Sequence, residues 1–260
     1  NFSLSPEQKA IQKEAREFAL KELLPVAWEY DQREETPMHI LHKAYDAGLV
    51  NGDIPKAYGG KGYGVLDGVV ATEELSAVCP GLATSIFDNS LGMEPLILCD
   101  NETAKQKYLT TITRDRKFFA FATSEPTMGS DVSSLRCLAK PDGDDYILNG
   151  TKFWITNGGI ADYVTVFATV DPKSAHQGIG AFVVETNWEG VTAGRHMPKF
   201  GQRGSNTTQV IDVDFNPESL QYTVSKNHDD DGNVHEAAIE AARSRLAETG
   251  IGASSGNPGW

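Results

Sequence analysis

The chain has 260 residues, of which 40% are hydrophobic and 23% charged, so it is long enough to bury a sizeable core in one large domain or two. Its 36 acidic residues outnumber 23 basic ones, which gives a formal net charge of −13 at pH 7. This charge opposes broad contact with nucleic-acid phosphates. No apolar run approaches the length of a membrane-spanning helix. We therefore expect neither a nucleic-acid partner nor a membrane span.

Cysteine and histidine spacing argues against disulfide and metal sites. The three cysteines, Cys79, Cys99 and Cys137, are odd in number and far apart, so they indicate a reducing compartment rather than a disulfide framework. The six histidines show no HExxH spacing and no pairing with cysteine. The start of the chain, NFSLSPEQKA, lacks the charged and apolar regions of a secretory signal. We expect no metal site.

The first hundred or so residues show helical patterns. Ser5 and Gln8 form a capping-box pattern around Pro6, and the helix that follows is expected to stop or kink at Pro25. Three further helices are predicted over residues 37–47, 66–78 and 102–112, the second ended by Pro80 and the third capped by Asn101.

From residue 117 onward, β-branched and aromatic runs replace the helical period. In DDYILNGTKFWIT, the dipeptide Asn149-Gly150 predicts a type I′ hairpin between two strands. Further strands are predicted in YVTVFATV, GAFVVET and VIDVDF. These runs indicate an antiparallel, barrel-like β domain.

The last part of the chain returns to a helical composition, after an acidic loop, SKNHDDDGN. This loop fits the first half of an EF-hand, but Ala238 stands where the bidentate Glu belongs, so a solvated acidic loop is favoured over a calcium site. The predicted class is α+β. The expected units are an amino-terminal helical domain (1–116), a β domain (117–217) and the acidic loop with a final helix (218–260).

Two polar segments beside predicted strands are the candidate site. SEPTMGSD (124–131) offers hydroxyls and backbone N–H groups, and WITNGG (154–159) offers an indole, a hydroxyl and an amide. Such strand ends suit a planar heteroaromatic cofactor. Tight turns packed by small residues are the alternative explanation.

The same two segments carry a family resemblance. TSEPTMGSD resembles the TEPxxGSD motif of the acyl-CoA dehydrogenases, and NGTKFWITNGG is similar to their NGxKxWITNG. IPKAYGGKGYG, FGQRGSNTTQVIDVDFNP and the first helix also follow family patterns in order, so the resemblance covers residues 1 to about 217. Within the family, the chain resembles the medium-chain enzymes.

The resemblance implies an FAD-dependent oxidoreductase of fatty acid β-oxidation. Such an enzyme converts a fatty acyl-CoA to the trans-2-enoyl-CoA and passes electrons to electron-transferring flavoprotein. It also implies a homo-oligomer in the mitochondrial matrix or the bacterial cytoplasm.

The resemblance further implies which residues bind FAD. Thr123 and Ser124 correspond to positions near the ring edge, and Ser130 to one near the pyrophosphate and the thioester substrate. Trp154 corresponds to the indole beside the isoalloxazine, and Thr156 to the hydroxyl near flavin N5. The full set is Phe121, Thr123, Ser124, Gly129, Ser130, Trp154, Ile155 and Thr156.

The final helix resembles the family helix that contacts the acyl-CoA, which places Glu240 and Arg243 at substrate-binding positions. The family then continues into a helical carboxy-terminal domain with the usual catalytic Glu, whereas this sequence ends at Trp260. Relatives with the Glu on the earlier helix have it where Ala242 stands. No catalytic base is identified. A non-catalytic flavin or acyl-CoA binding module, or a scaffold without a ligand, are the alternatives to a dehydrogenase.

Overall fold

The computed structural model describes residues 3–143 and 145–212. The expected order of helices followed by a sheet is confirmed, while the acidic loop and final helix lie outside the described residues. Short 3₁₀ turns connect several of the elements. The helices and strands are α1 (Pro6–Phe18), α2 (Leu24–Arg33), α3 (Met38–Asp46), α4 (Val65–Ser76), α5 (Pro80–Leu98), α6 (Glu102–Asp115), β1 (Phe119–Ala122), β2 (Leu138–Asp142), β3 (Asp145–Thr156), β4 (Tyr163–Thr169), β5 (Ile179–Glu185), β6 (Val191–His196) and β7 (Thr207–Asp212).

The first helix begins at the predicted capping box. The Gln8 backbone N–H donates to Ser5 Oγ at 3.2 Å, and the Ser5 backbone N–H donates to Gln8 Oε1 at 3.0 Å. Pro25 does not stop the helix, because the wider π-helical turn Ala19–Leu23 precedes it and helical backbone continues to Arg33. Proline has no backbone N–H to donate, and the wider π turn accommodates this missing hydrogen bond within the helix. One interrupted helix thus runs from α1 through α2.

Helix α5 is missing from the sequence-based expectations, in which Pro80 only ended a helix. Pro80 is instead the first residue of α5, where its lack of an N–H leaves no hydrogen bond unmade. The helix packs on the sheet at Gly92, where an added Cβ would lie 2.9 Å from the Ala120 carbonyl oxygen. Thr165 Oγ1 donates to the Gly92 carbonyl at 2.6 Å. This close approach fixes α5 against β1 and β4.

The sheet is mixed and open. Its strand order is β1-β4-β2-β3-β7-β6, and β5 pairs with β4. Most pairs are antiparallel as expected, but β1 and β2 both run parallel to β4. Parallel pairing needs a long connection between strands, and the chain between β1 and β4 supplies one that contains the β2–β3 hairpin. The ends of β1 and β3 thereby lie near each other.

The predicted hairpin turn at Asn149-Gly150 is wrong, because both residues lie inside β3, where Asn149 pairs with Leu138 of β2 and Gly150 with Asp212 of β7. The turn lies instead at Gly143, which has φ of 61° and lies between the paired residues Asp142 and Asp145. At Gly150, an added Cβ would lie 2.7 Å from both Cβ and Sγ of Cys137. Gly150 therefore allows the close approach of two strands rather than a turn.

Separate apolar clusters fill the helical part and the sheet. The sheet cluster includes Leu148, Ile155, Val166 and Phe182, all buried. The helical cluster includes Leu23, Leu41, Leu75 and Leu82, also buried. Within residues 3–143 and 145–212, no helix combines the length and apolar character that crossing a membrane requires.

Gly150→Ala should lower the free energy of unfolding by about 1–3 kcal/mol, because the new methyl group overlaps Cys137 in a packed sheet. Chemical denaturation measures the change. Gly143→Asn is the matched control, since its turn has open space around it and asparagine tolerates positive φ. Equal stability of Gly150→Ala and the wild type would contradict the close-approach explanation.

Candidate functional site

The two candidate segments lie side by side. The Phe153 backbone N–H donates to the Ser124 carbonyl at 2.8 Å, which joins the segment after β1 to the end of β3. Lys152 Nζ donates to the Thr123 carbonyl at 3.0 Å and adds a second connection. The residues that carry the sequence motifs therefore meet at one edge of the sheet.

A buried ion pair holds this junction together. Lys152 is fully buried and Glu125 is 7% exposed, with Lys152 Nζ 2.8 Å from Glu125 Oε1. The Glu125 carboxylate also accepts the backbone N–H groups of Arg136 and Cys137, each at 2.8 Å. Removing one partner of such a pair leaves a buried charge without compensation. The pair therefore fixes the segment after β1 against both β2 and β3.

The Glu125 turn is itself tight. The backbone N–H and carbonyl of Glu125 exchange hydrogen bonds with Met128, at 2.9 and 3.2 Å. Sequence reasoning missed Glu125 and Lys152, which lie 27 residues apart. The available signal was a lysine directly before the apolar run of residues 153–155, and a glutamate among the uncharged residues that precede Asp131.

A β-bulge exposes Trp154. Lys152 pairs with Val210 and Ile155 pairs with Thr208, so three steps along β3 match two steps along β7. Trp154 has φ of 63° and is 53% exposed, whereas Ile155 is 2% exposed. An extra residue changes which face the following side chains occupy. The bulge therefore turns the indole outward and returns Ile155 to the core.

Strand β6 has an irregularity at the same place. Ala193 pairs with Val210 and His196 with Thr208, again three steps against two. Strands β3 and β6, which flank β7, therefore each carry one extra residue opposite the stretch of β7 between Thr208 and Val210.

The remaining predicted cofactor residues differ in exposure. Phe121 is half-buried, and its ring centroid lies 4.9 Å from that of Phe167. Gly129 and Ser130 are exposed, and Thr156 is half-buried at the end of β3. The buried side chain of Ile155 leaves only its backbone available to a ligand. Glu240 and Arg243 lie outside the described residues.

The side chain of Thr123 indicates whether a planar ligand fits where the two candidate segments meet. Its Oγ1 is buried and has no hydrogen-bond partner among residues 3–143 and 145–212. A buried hydroxyl without a partner costs about 1–3 kcal/mol, so a ligand that accepts its proton would remove that cost. The exposed indole of Trp154 belongs to the adjoining segment and offers an aromatic face. A hydroxyl donor and an aromatic face together fit a heteroaromatic ring such as isoalloxazine.

The exposed end of the first segment is ordered by local hydrogen bonds. The Ser133 and Ser134 hydroxyls donate to the Asp131 carboxylate and hold the pKa of that carboxyl below its usual value. In the described ranges, no three His, Cys, Asp or Glu side chains are grouped to hold a metal ion. The two candidate segments present hydroxyls, backbone groups and an indole.

Asn157 connects the end of β3 to helix α5. Its Nδ2 donates to the Ser85 carbonyl at 2.8 Å, and its backbone N–H donates to the Asn206 carbonyl at 2.9 Å. Asn157 is fully buried and has φ of 57°. Helix α5 therefore lies directly beside the second candidate segment.

Comparison with curated proteins identifies relatives in Clostridium acetobutylicum and in Caenorhabditis briggsae. The chain is 36% identical over 217 residues to "Acyl-CoA dehydrogenase, short-chain specific" of Clostridium acetobutylicum. It is 36% identical over 213 residues to "Probable medium-chain specific acyl-CoA dehydrogenase 2, mitochondrial" of Caenorhabditis briggsae. These matches cover 83% and 81% of this chain but only 57% and 52% of the relatives, so the chain spans about half their length.

Comparison with solved structures also identifies acyl-CoA dehydrogenases. Butyryl-CoA dehydrogenase from Megasphaera elsdenii matches with a TM-score of 0.78 and 31% identity, over 87% of this chain and 61% of that one. An acyl-CoA dehydrogenase from Bacillus anthracis, solved in complex with FAD, matches with a TM-score of 0.72 and 31% identity. That match covers 81% of this chain and 36% of the other.

Two family models match consecutive parts of the sequence. The model for the acyl-CoA dehydrogenase N-terminal domain matches residues 5–116, and the model for the middle domain matches residues 120–213. The motifs, the fold and the relatives agree with these matches. The chain belongs to the acyl-CoA dehydrogenase family.

Proposed function

We propose that the chain binds FAD and acts in the α,β-dehydrogenation of a fatty acyl-CoA to the trans-2-enoyl-CoA, with electrons passing to electron-transferring flavoprotein. The observation that carries this proposal is the junction of the two motifs, where Phe153 donates to the Ser124 carbonyl. Family membership and the FAD complex of the Bacillus anthracis relative support it.

Each residue at the junction has a proposed role. Bound FAD supplies the hydride acceptor. Thr123 donates its free hydroxyl to the ring edge, beside the Ser124 backbone, and Trp154 covers the ring with its indole. Ile155 contributes backbone groups, and Thr156 offers its hydroxyl to the central ring. Phe121 borders the ring, while Gly129 and Ser130 approach the pyrophosphate.

The substrate and assembly follow as further proposals. Ser130, Glu240 and Arg243 contact the acyl-CoA, and the protein functions as a homo-oligomer with helical, β and carboxy-terminal units bounded near residues 116 and 217. Relatives from a mitochondrion and from bacteria support a mitochondrial matrix or bacterial cytoplasmic location. No residue is assigned as the catalytic base.

A binding module without turnover is the second candidate function. Ala242 occupies one of the two positions where relatives carry the catalytic Glu, which favours this alternative. Such a protein would retain FAD or an acyl-CoA without transferring hydrogen.

The purified protein loaded with FAD should show a flavin absorbance band that octanoyl-CoA bleaches under anaerobic conditions. Bleaching reports reduction of the ring by the substrate, which a binding module cannot produce. A stable flavin band without bleaching would support the second function. Absence of retained flavin would contradict the dehydrogenase, and absence of both flavin and acyl-CoA binding would contradict both functions.

Thr123→Val should raise the FAD dissociation constant about two- to tenfold, because the lost hydrogen bond contributes about 0.5–1.5 kcal/mol. Fluorescence titration of the apoprotein with FAD measures this change. Stability without FAD should not fall, since the hydroxyl has no partner there. Thr169→Val is the matched control, because it removes another buried, unpaired hydroxyl outside the two segments. Equal FAD affinities in both variants would exclude the proposed contact.

Lys152→Met should lower the free energy of unfolding by about 3–5 kcal/mol, because it leaves the buried Glu125 carboxylate unpaired. It should also weaken FAD binding, since Lys152 fixes the Thr123 backbone. Arg16→Met is the control: it breaks the ion pair of the buried Glu74 within the helical part, at 2.6 Å. This control should reduce stability without changing FAD affinity. Unchanged FAD affinity in folded Lys152→Met would refute the positioning role.

A further inference from the structure

Four buried polar atoms without hydrogen-bond partners among the described residues lie on α5 and in the segments that follow β1 and β3. The atoms are Ser85 Oγ and Asp88 Oδ2 on α5, Thr123 Oγ1 after β1, and Asn157 Oδ1 after β3. Native proteins satisfy most buried polar atoms, so each unsatisfied atom is a candidate contact for a bound molecule. Thr123 is assigned above to FAD, which leaves Asn157 and the two atoms on α5.

Helical spacing places Asp88 on the same face of α5 as two of the contacts of that helix. Ser85, Asp88 and Gly92 lie three and four residues apart, on one face of α5. Ser85 contacts Asn157 of the second candidate segment through its carbonyl, and Gly92 lies against Ala120 of β1. Asp88 therefore lies between these two contacts, on the face of α5 that packs against β1 and the second candidate segment.

Asp88 differs from the other buried carboxylates of the described chain. Glu125 is paired with Lys152 and Glu74 with Arg16, at 2.8 and 2.6 Å. Asp88 is 8% exposed and has no ion pair in the described part of the protein. Burial raises the pKa of its carboxyl well above the ordinary value. Among the described residues, Asp88 is thus an acidic group without a basic partner, three residues along α5 from the contact between Ser85 and the second candidate segment.

Building on the proposed function, we propose that Asp88 is a specificity-determining residue that selects acyl groups bearing a protonated amine. An ammonium group would donate to Oδ2 and compensate the buried carboxylate, whereas an alkyl chain would leave it unsatisfied. Within the fatty acyl thioesters of the proposed function, the favoured substrates are therefore those that carry an amine on the acyl chain.

The test compares thioesters that differ only at the chain end. Dissociation constants for the FAD-loaded protein are measured with 6-aminohexanoyl-CoA and heptanoyl-CoA, and with 8-aminooctanoyl-CoA and nonanoyl-CoA. Each pair has equal length, with an ammonium in place of a methyl group. The wild type should bind at least one amine about tenfold more tightly than its partner, as a charge-assisted hydrogen bond allows. Asp88→Asn should abolish that preference.

Asp53→Asn is the matched control. The Asp53 carboxyl is half-buried and accepts a hydrogen bond from Ser90 Oγ at 2.9 Å, so its loss should leave the preference intact. Equal binding within both pairs by the wild type would overturn the inference, even if Asp88→Asn failed to fold. A preference that persists in Asp88→Asn would also overturn it.

The binding measurements distinguish a failure of the proposed function from a failure of the role proposed for Asp88. Absence of binding by all four thioesters would remove the proposed function together with this inference. Binding of the alkyl thioesters with flavin bleaching, but without an amine preference, would remove only the role of Asp88.

Discussion

The candidate site depends on the ion pair between Glu125 and Lys152. Glu125 follows β1, Lys152 belongs to β3, and the carboxylate also receives two N–H groups from the chain that leads into β2. Because both charges are buried, neither has water as a substitute partner. One interaction therefore fixes three parts of the sheet domain, and the positions of Thr123 and Trp154 follow from it.

Helix α5 packs beside the second candidate segment. Its seating on β1 requires a residue without a side chain at Gly92, and its Ser85 carbonyl accepts a hydrogen bond from the Asn157 amide. The helix is thus attached both at the middle of β1 and beyond the end of β3. The stretch of helix between these attachments, which includes Asp88, is therefore held by rigid elements.

Local signals made part of this structure predictable. The Ser5 capping box and the Asn101 cap depend on atoms three residues away, and both form as expected. The two motif segments could also be located from the sequence, because each consists of consecutive residues. Gly150 was misinterpreted because its role depends on Cys137, a contact that the local dipeptide does not contain. The Glu125–Lys152 pair could not be foreseen either, since only the folded sheet brings these side chains together.

Where β3 and β6 pair irregularly with β7, the number of residues in each strand is more important than the identity of their side chains. Both β3 and β6 place three steps against two on β7, between Val210 and Thr208. A substitution at Trp154 would alter one surface, but deletion of that residue would restore simple alternation and reverse the facing of every later position in the strand. Insertions and deletions in this short stretch would consequently be far more damaging than replacements, because the spacing itself determines which groups reach the site.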